Sequence, residues 1–253
     1  MNLTKPTVSV GGIRVADTGP LDILQDIERV MASRGLPRSY LAVHIGGLNC
    51  ADRPDFVQAM NSGYLTYADG ISAVVLAKLA GARRVKRTST TDFGLPMLDA
   101  ASTALGRRAI VAIIGGPPGL AERAAEQIER CCSVTVALSA HGFYDDYRDL
   151  LREIRTAKAD VLIVGMGMPK EALWVQRHMD QITARVVLTC GGWLGFLAGD
   201  EMRAPRIIQR AGLEWAWRLV QAPTRLIERY ARGAITFLLL AVRILWIRLN
   251  ERQ

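Results

Sequence analysis

Short apolar runs alternate with segments of helical spacing along most of this chain. The first helix is predicted over residues 21–34, where apolar side chains recur at positions 21, 23, 24, 27, 30 and 31 and Gly35 ends the pattern. Five continuous apolar runs predict buried strands, over residues 40–45, 64–68, 108–114, 160–164 and 185–189. Further helices are predicted over residues 54–60, 71–80, 120–130 and 170–179.

Strands without polar alternation are typical of a parallel sheet covered by helices on both faces. A glycine turn follows each predicted strand; the turns are Gly46-Gly47, Asp69-Gly70, residues 115–119, residues 165–169 and Gly191-Gly192. The carboxyl ends of parallel strands meet at one edge of the sheet, where α/β folds bind ligands. The pattern therefore predicts an α/β, Rossmann-like, mostly parallel sheet with a site at that edge.

After Gly199 the alternation of strands and helices stops, and the chain becomes helical in pattern and rich in Arg and Trp. We therefore divide it into a Rossmann-like core, residues 1–199, and a helical C-terminal appendage, residues 200–253. Pro205 and Pro223 are each expected to open a helix.

The last apolar run covers only residues 234–242 before Arg243 and Arg248 follow. A bilayer-spanning helix needs about 20 apolar residues, so this run is predicted to be too short to span. With Trp246 at its edge, it is expected to lie on an anionic membrane surface. The alternative is packing on the body of the protein or on a partner subunit.

Composition narrows the class of protein. A chain of 253 residues with 50% apolar and 22% charged residues is an ordered globular chain, which excludes disordered and fibrous proteins. The net charge is +8, and the appendage supplies +5 of it, with ten Arg, five acidic residues and no Lys. Such local charge argues against a nucleic-acid partner and for phosphates or anionic lipid.

Cysteine and histidine spacing predicts neither a disulfide framework nor a metal site. The four cysteines form no C-x-x-C pair, and the three histidines have no metal-ligand spacing. We therefore assign a structural or solvated role to His44, His141 and His178. Residues 1–20 carry no export signal, which together with the free cysteines predicts a cytoplasmic location.

Two glycine loops are candidates for binding a diphosphate. The backbone N–H groups of Gly115, Gly116, Gly165 and Gly167 precede predicted helices, where a helix dipole favours an anion, and Lys170 adds a cation. The alternative is a tight strand-to-helix turn without a ligand. Neither loop spells G-x-G-x-x-G, which disfavours an NAD-dependent oxidoreductase.

Asp69 is the candidate catalytic carboxylate. It follows a predicted strand directly, so it faces the cleft where a general base is needed. The alternative is that Asp-Gly serves only as a common turn pair.

A series of motifs between residues 40 and 237 resembles the WecG/TagA/CpsF glycosyltransferases, also called glycosyltransferase family 26. The C-terminal motifs R-A-P, G-L-E-W, R-L, P-x-R and R-Y carry most of the resemblance. In chain order the matching positions are Asn49, Asp69-Gly70, residues 115–119 with Ala121-Glu122, Pro169-Lys170, Ala198-Gly199, residues 203–205, residues 212–215, Arg218-Leu219, Pro223, Arg225 and Arg229-Tyr230.

The resemblance implies an inverting enzyme of exopolysaccharide or other surface-polysaccharide synthesis. Such an enzyme moves a sugar of the glucose or N-acetylmannosamine type from a UDP-sugar to a polyprenyl-diphosphate-linked saccharide, as a peripheral protein on the cytoplasmic face of the bacterial inner membrane. It implies no metal or other cofactor, and it leaves open whether the chain forms a homo-oligomer.

The resemblance also implies roles for individual residues. Asp69 would be the general base, and Asn49 would lie near the donor. Lys170 and Glu171 would contact the donor. The appendage would neutralise the leaving diphosphate with arginines, by motif match Arg203, Arg206, Arg218, Arg225 and Arg229.

Three positions depart from the usual family pattern. Glu171 stands where members have Gln, Gly195 where they often have Asp, and Gly47 where Thr is common. The departures at Glu171 and Gly195 favour an alternative function, a non-catalytic peripheral-membrane scaffold that holds a nucleotide-sugar or a lipid diphosphate.

Overall fold

A six-stranded parallel sheet forms the centre of the computed structural model, which describes residues 5–33, 35–210 and 212–250, without the side chains of Arg210 and Arg225. Two short strands, β1 (Thr7–Val10) and β2 (Ile13–Ala16), form a separate antiparallel hairpin. The strands of the main sheet are β3 (Arg38–Val43), β4 (Leu65–Ala68), β5 (Ala109–Gly115), β6 (Val134–Ala140), β7 (Val161–Gly165) and β8 (Val186–Thr189).

The strand order in this sheet is β4-β3-β8-β7-β5-β6, and every neighbouring pair is parallel. All the predicted glycine turns therefore lie at one edge. The predicted Rossmann-like α/β architecture is confirmed.

Helices cover both faces of the sheet, because alternate strand residues enter separate apolar cores. Val43, Ile114 and Val164 point into one core, while Tyr40, Ile113 and Leu188 point into the other. The first core is covered by α2 (Ile45–Leu48), α3 (Pro54–Ser62), α4 (Ile71–Leu79), α7 (Arg148–Ala157) and α8 (Lys170–His178). The second is covered by α1 (Pro20–Ala32), α5 (Thr90–Leu105), α6 (Leu120–Cys131) and α9 (Trp193–Leu197).

The predicted elements are confirmed to within a few residues at their ends. The first helix, α1, ends at Ala32, and Arg34 lies outside the described residues. The β1-β2 hairpin, β6, α2, α5, α7 and α9 are not predicted by the apolar pattern. Strand β6 is an edge strand with exposed and half-buried positions, and α5 contains Gly94 and Pro96, which normally interrupt helices. Packing retains this helix, since a Cβ at Gly94 would overlap the ring of Trp193.

Three helices follow the core: α10 (Arg206–Arg210), α11 (Glu214–Gln221) and α12 (Pro223–Asn250). As predicted, α10 begins directly after Pro205, and α12 begins at Pro223. Helix α12 packs along α2 and α4, with Gly233 against Ile45. Near its end, the Arg248 guanidinium donates to the backbone oxygen of Leu79 at 3.0 Å. The division at residue 200 stays a prediction.

Helix α12 corrects the length argument made from the apolar run. Its 28 residues include a stretch, Leu226–Asn250, of mean hydropathy 1.6, which is long and apolar enough to cross a membrane by length and composition. Counting only the uninterrupted run was wrong, because apolar residues continue beyond Arg243.

The face of α12 opposite the core is also apolar. Six of its side chains recur at helical spacing and are each 62–67% exposed; they are Ile235, Leu238, Leu239, Val242, Trp246 and Leu249. We call these six residues the exposed apolar face. The helix therefore has one apolar face on the protein and a second without a cover among the described residues.

Candidate active site

Asp69 lies where β4 ends and is held by backbone groups on both sides. Its N–H donates to the oxygen of Val43 at 2.9 Å, and its Oδ1 accepts the N–H of Thr90 at 3.1 Å, at the start of α5. The side chain is half-buried. Burial raises the pKa of Asp69 to about 6, against the lowering effects of the Thr90 N–H and the nearby Arg87. A carboxylate with this pKa suits proton abstraction near neutral pH.

Glu171 is a second carboxyl group in this region, and it is fully buried at the start of α8. Its Oε2 accepts the N–H groups of Gly167 at 3.0 Å and Gly191 at 3.2 Å. Burial raises the pKa of Glu171 to about 7, and the charge of Asp69 adds to the rise. Its Oε1 has no hydrogen-bond partner in the described part of the chain.

His44 directly follows β3, caps the start of α2, and lies between the core and the C-terminal helices. Its Nδ1 accepts the N–H of Gly46 at 3.0 Å and lies 3.3 Å from a guanidinium nitrogen of Arg229. Burial, followed by the charges of Arg229 and Arg218, lowers the pKa of His44 to about 3, so the ring is neutral. A Cβ added at Gly70 would lie 3.5 Å from the Cβ of His44, which places this ring beside the Asp69 turn.

Asn49 caps the end of α2 and is buried against α12. Its Nδ2 donates to the oxygen of Arg229 at 3.2 Å, and its own backbone oxygen accepts from Arg232 at 3.2 Å. Its Oδ1 has no partner among the described residues. Asn49 thus joins the end of α2 to the appendage.

Two of the predicted arginines reach the strand ends. The Arg229 guanidinium lies directly on Gly46, where any Cβ would overlap it. Arg218 donates to Glu201 Oε2 at 2.8 Å, and its Nη2 lies 3.2 Å from the position of a Cβ at Gly192. These guanidinium groups bring positive charge to the turns after β3 and β8.

The other predicted arginines lie elsewhere. Arg203 pairs with Asp92 on α5, and Arg206 is exposed at the start of α10. The side chain of Arg225 lies outside the described residues.

The glycine loops after β5 and β7 are neighbours, as predicted, but part of their backbone is already in use. Gly116 donates its N–H to the oxygen of Gly165 at 3.0 Å, and the N–H of Gly167 binds Glu171. A Cβ at Gly115 would overlap Gly165, so these two glycines allow close packing of adjacent turns. Lys170 points away from Glu171, donates to Gly142 at 2.9 Å and lies over the ring of Phe143.

A cleft of about 410 Å³ lies between the loop after β5 and the appendage. Residues that line it include Pro117, Leu120, Gly195, Glu201, Arg218 and Gln221. A Cβ at Gly195 would lie 3.8 Å from Glu201 Oε1, so a carboxyl group stands beside this glycine.

Sequence reasoning missed His44 and Arg87. His44 is the polar residue that directly follows β3, as Asp69 directly follows β4. Its position, and not its spacing to other histidines, therefore carried the information. Arg87 forms ion pairs with Glu214 of α11 and, at 3.8 Å, with Asp92. The partner that ties Arg87 to the appendage, Glu214, lies 127 residues away along the chain, so sequence spacing gave no sign of this contact.

The geometry thus places two carboxyl groups, a neutral imidazole and two guanidinium groups at one edge of a parallel sheet. The model of the Glycosyl transferase WecG/TagA/CpsF family matches residues 8–251, nearly the whole chain. The protein therefore belongs to the WecG/TagA/CpsF family and is a glycosyltransferase of cell-surface polysaccharide synthesis.

Proposed function

We propose that the protein transfers a sugar from a UDP-sugar to a polyprenyl-diphosphate-linked saccharide with inversion at the anomeric carbon. The observation that carries this proposal is the packing of the appendage, through Arg218 and Arg229, on the turns that adjoin Asp69 and His44. A base and two cations then lie at the same edge of the sheet, which is what displacement of a diphosphate requires.

In this mechanism Asp69 takes the proton of the attacking acceptor hydroxyl. The hydroxyl oxygen forms a bond to the anomeric carbon while the bond from that carbon to the UDP oxygen breaks. UDP leaves with the bonding electrons, and its growing negative charge is stabilised by guanidinium groups. We assign this neutralisation to Arg218 and Arg229 and propose that no metal ion is required.

The ion pair between Arg218 and Glu201 suits this task. Side chains of Arg218 and Glu201 are 26% and 20% exposed, so the pair borders the cleft without being fully sequestered. A diphosphate can take the place of Glu201 as the partner of Arg218, since guanidinium binds phosphate and carboxylate with the same geometry. The Gly116 and Gly167 N–H groups, already bonded, then contribute less than the sequence suggested.

We propose that α12 lies in the membrane surface of the cytoplasmic face. One side of the helix packs along α2 and α4, and the exposed apolar face points away from the core. A helix in this position meets the membrane along its length and keeps the cleft near a lipid-linked acceptor.

The scaffold alternative draws on Gly195 and Glu171. Glu201 stands beside Gly195, so the cleft retains a carboxyl group at the place where family members often have Asp. This arrangement favours the enzyme.

The test is transfer of radiolabelled sugar from a panel of UDP-sugars to a polyprenyl-diphosphate-linked sugar by the full chain in lipid vesicles. We expect product with an inverted anomeric centre and undiminished transfer in excess EDTA. Tight UDP binding without transfer to any acceptor in the panel would support the scaffold, and restoration by divalent ions alone would overturn the metal-free mechanism.

A further inference from the structure

Two buried hydroxyl groups adjoin Asp69. Tyr67, two residues before it on β4, is fully buried, and Thr90, the first residue of α5, is only 2% exposed. The Tyr67 hydroxyl lies 3.0 Å from Thr90 Oγ1, within hydrogen-bond distance. Strand β4 and helix α5 are therefore joined by a side-chain hydrogen bond next to the carboxylate.

Thr90 holds Asp69 with its other polar group. Its backbone N–H donates to Asp69 Oδ1 at 3.1 Å, while its side chain bonds Tyr67. Ser89, the N-cap residue of α5, makes no side-chain cap bond. Asp69 therefore accepts the first N–H group of a helix from outside the helix, where a carboxylate is favourable.

The first turn of α5 is fixed independently of Asp69. The ring of Tyr67 packs edge-on against Phe93 of α5, with the ring centroids 5.8 Å apart. The Tyr67 hydroxyl also lies 3.5 Å from the backbone oxygen of Thr189, the last residue of β8. Tyr67 thus ties this turn to two strand ends, and the N–H group that contacts Asp69 belongs to the same turn.

The electrostatic surroundings of Asp69 depend on this contact. Burial raises the pKa of Asp69 to about 6, and the Thr90 N–H is the largest of the effects that lower it. Burial also raises the pKa of Tyr67 well above its ordinary value, so the phenol is uncharged and its replacement by Phe removes no charge. The other charged or titratable groups that interact with Asp69 are Arg87, Glu171, Cys190 and Glu214.

We propose that Thr90 and Tyr67 are positioning residues that hold the carboxylate of Asp69 in the orientation needed for proton abstraction. A base must lie within hydrogen-bond reach of the attacking hydroxyl, and small displacements of a catalytic group cost large factors in rate. Tyr67 acts through Thr90, and Thr90 acts through its backbone N–H. This inference rests on the proposed function, in which Asp69 is the base.

Three substitutions test the two hydroxyl groups. Tyr67→Phe removes one of them but keeps the ring that packs on Phe93. Thr90→Val removes the other with little change of shape, and Thr90→Ser keeps a hydroxyl at that position.

The matched control is Tyr40→Phe. Tyr40 is fully buried on the neighbouring strand β3, in the same apolar core as Tyr67. Its hydroxyl donates to Asp26 Oδ2 of α1 at 2.9 Å. The control therefore loses a buried hydrogen bond of the same kind, made to α1 instead of α5.

The experiment measures kcat and the donor KM of the full chain between pH 5 and 8, with the UDP-sugar that gives most product in the transfer panel. We expect Tyr67→Phe and Thr90→Val to lower kcat by about tenfold, with the donor KM within about twofold of wild type. The midpoint of the acid limb of kcat/KM should rise by about half a pH unit, because the Thr90 N–H favours the charged carboxylate. Thr90→Ser should restore most of both changes, and Tyr40→Phe should cause neither.

An NMR titration of carbon-13-labelled aspartate, with the Asp69 signal assigned from Asp69→Asn, measures the same shift without substrate. Wild-type kcat and an unshifted midpoint in Tyr67→Phe would overturn this inference and leave the proposed function standing. A lower kcat without a shifted midpoint, or an equal loss in Tyr40→Phe, would indicate general loosening of the fold and would also overturn it. Unfolding temperatures of all variants accompany the rates.

Failure of the proposed function gives a different result. Wild type would then transfer sugar from no UDP-sugar in the panel, or Asp69→Asn would transfer at a near-normal rate. Either outcome removes Asp69 as the base and, with it, the catalytic part of this assignment, while the NMR titration still shows whether Thr90 and Tyr67 hold the carboxylate.

Discussion

The strand ends and the C-terminal helices contribute opposite kinds of group to one edge of the sheet. Glu171 is fully buried, while Asp69 and His44 are half-buried. Backbone N–H groups hold all three side chains, and burial is the largest cause of each pKa shift. Arg218 is instead held by a single carboxylate, that of Glu201, and both side chains are partly exposed. Burial therefore shifts the protonation of the core groups, while this appendage cation stands in an ion pair near the surface.

The largest effect is expected from removing the proposed base, Asp69. Asp69→Asn keeps the size of the side chain and an oxygen for the Thr90 N–H, but it cannot take a proton. We expect the transfer rate to fall by a factor on the order of 10² or more, with UDP affinity retained. Rates measured on a mutant that unfolds at the wild-type temperature decide the matter, and near-normal transfer would remove Asp69 from catalysis.

Removing an appendage cation should have a smaller effect. Arg218→Ala is expected to lower kcat/KM by about 10- to 100-fold, and Arg218→Lys to restore only part of it, because lysine lacks the bidentate geometry. Arg130→Ala is the control, because Arg130 forms an exposed ion pair with Glu126 in the last turns of α6. A full rescue by lysine would indicate a general charge effect without specific phosphate contacts.

The pH dependence of kcat/KM tests whether burial raises the pKa of Asp69. Asp69 acts only when deprotonated, and its pKa of about 6 predicts that kcat/KM rises with pH and levels off above that value. Activity at pH 5 should be about a tenth of the plateau. The profile is measured between pH 5 and 8 with stability followed in parallel, and a flat profile for a folded enzyme would contradict the assigned base.

The smallest expected effect concerns the membrane surface. Leu239→Asn combined with Trp246→Asn should reduce co-sedimentation with anionic phospholipid vesicles by about fivefold, because apolar area is lost from the lipid contact. The control combines Leu21→Asn and Leu36→Asn, two exposed apolar residues outside α12. Equal loss in both double variants would show that the exposed apolar face has no special part in binding.

The sequence by itself determined the architecture and the edge where the site lies. Continuous apolar strands ending in glycine turns can only be buried in a covered parallel sheet, and parallel strands bring those turns together. Asp69 was predictable for the same reason, since its place at a strand end is a local property of the chain. Edge strand β6 and helix α5 were not predicted, because packing against neighbouring elements overrides local preference there.

Tertiary structure alone decided which polar groups meet at this edge of the sheet. Sequence spacing gave no reason to join His44 with Arg229 or Arg87 with Glu214, because contacts across distant segments depend on strand order and on how the C-terminal helices pack. It also decided that Lys170 turns away while Glu171, one residue later, turns inward. The pKa of each group follows from burial among those neighbours, and burial is a property of the folded chain, not of the order of its residues.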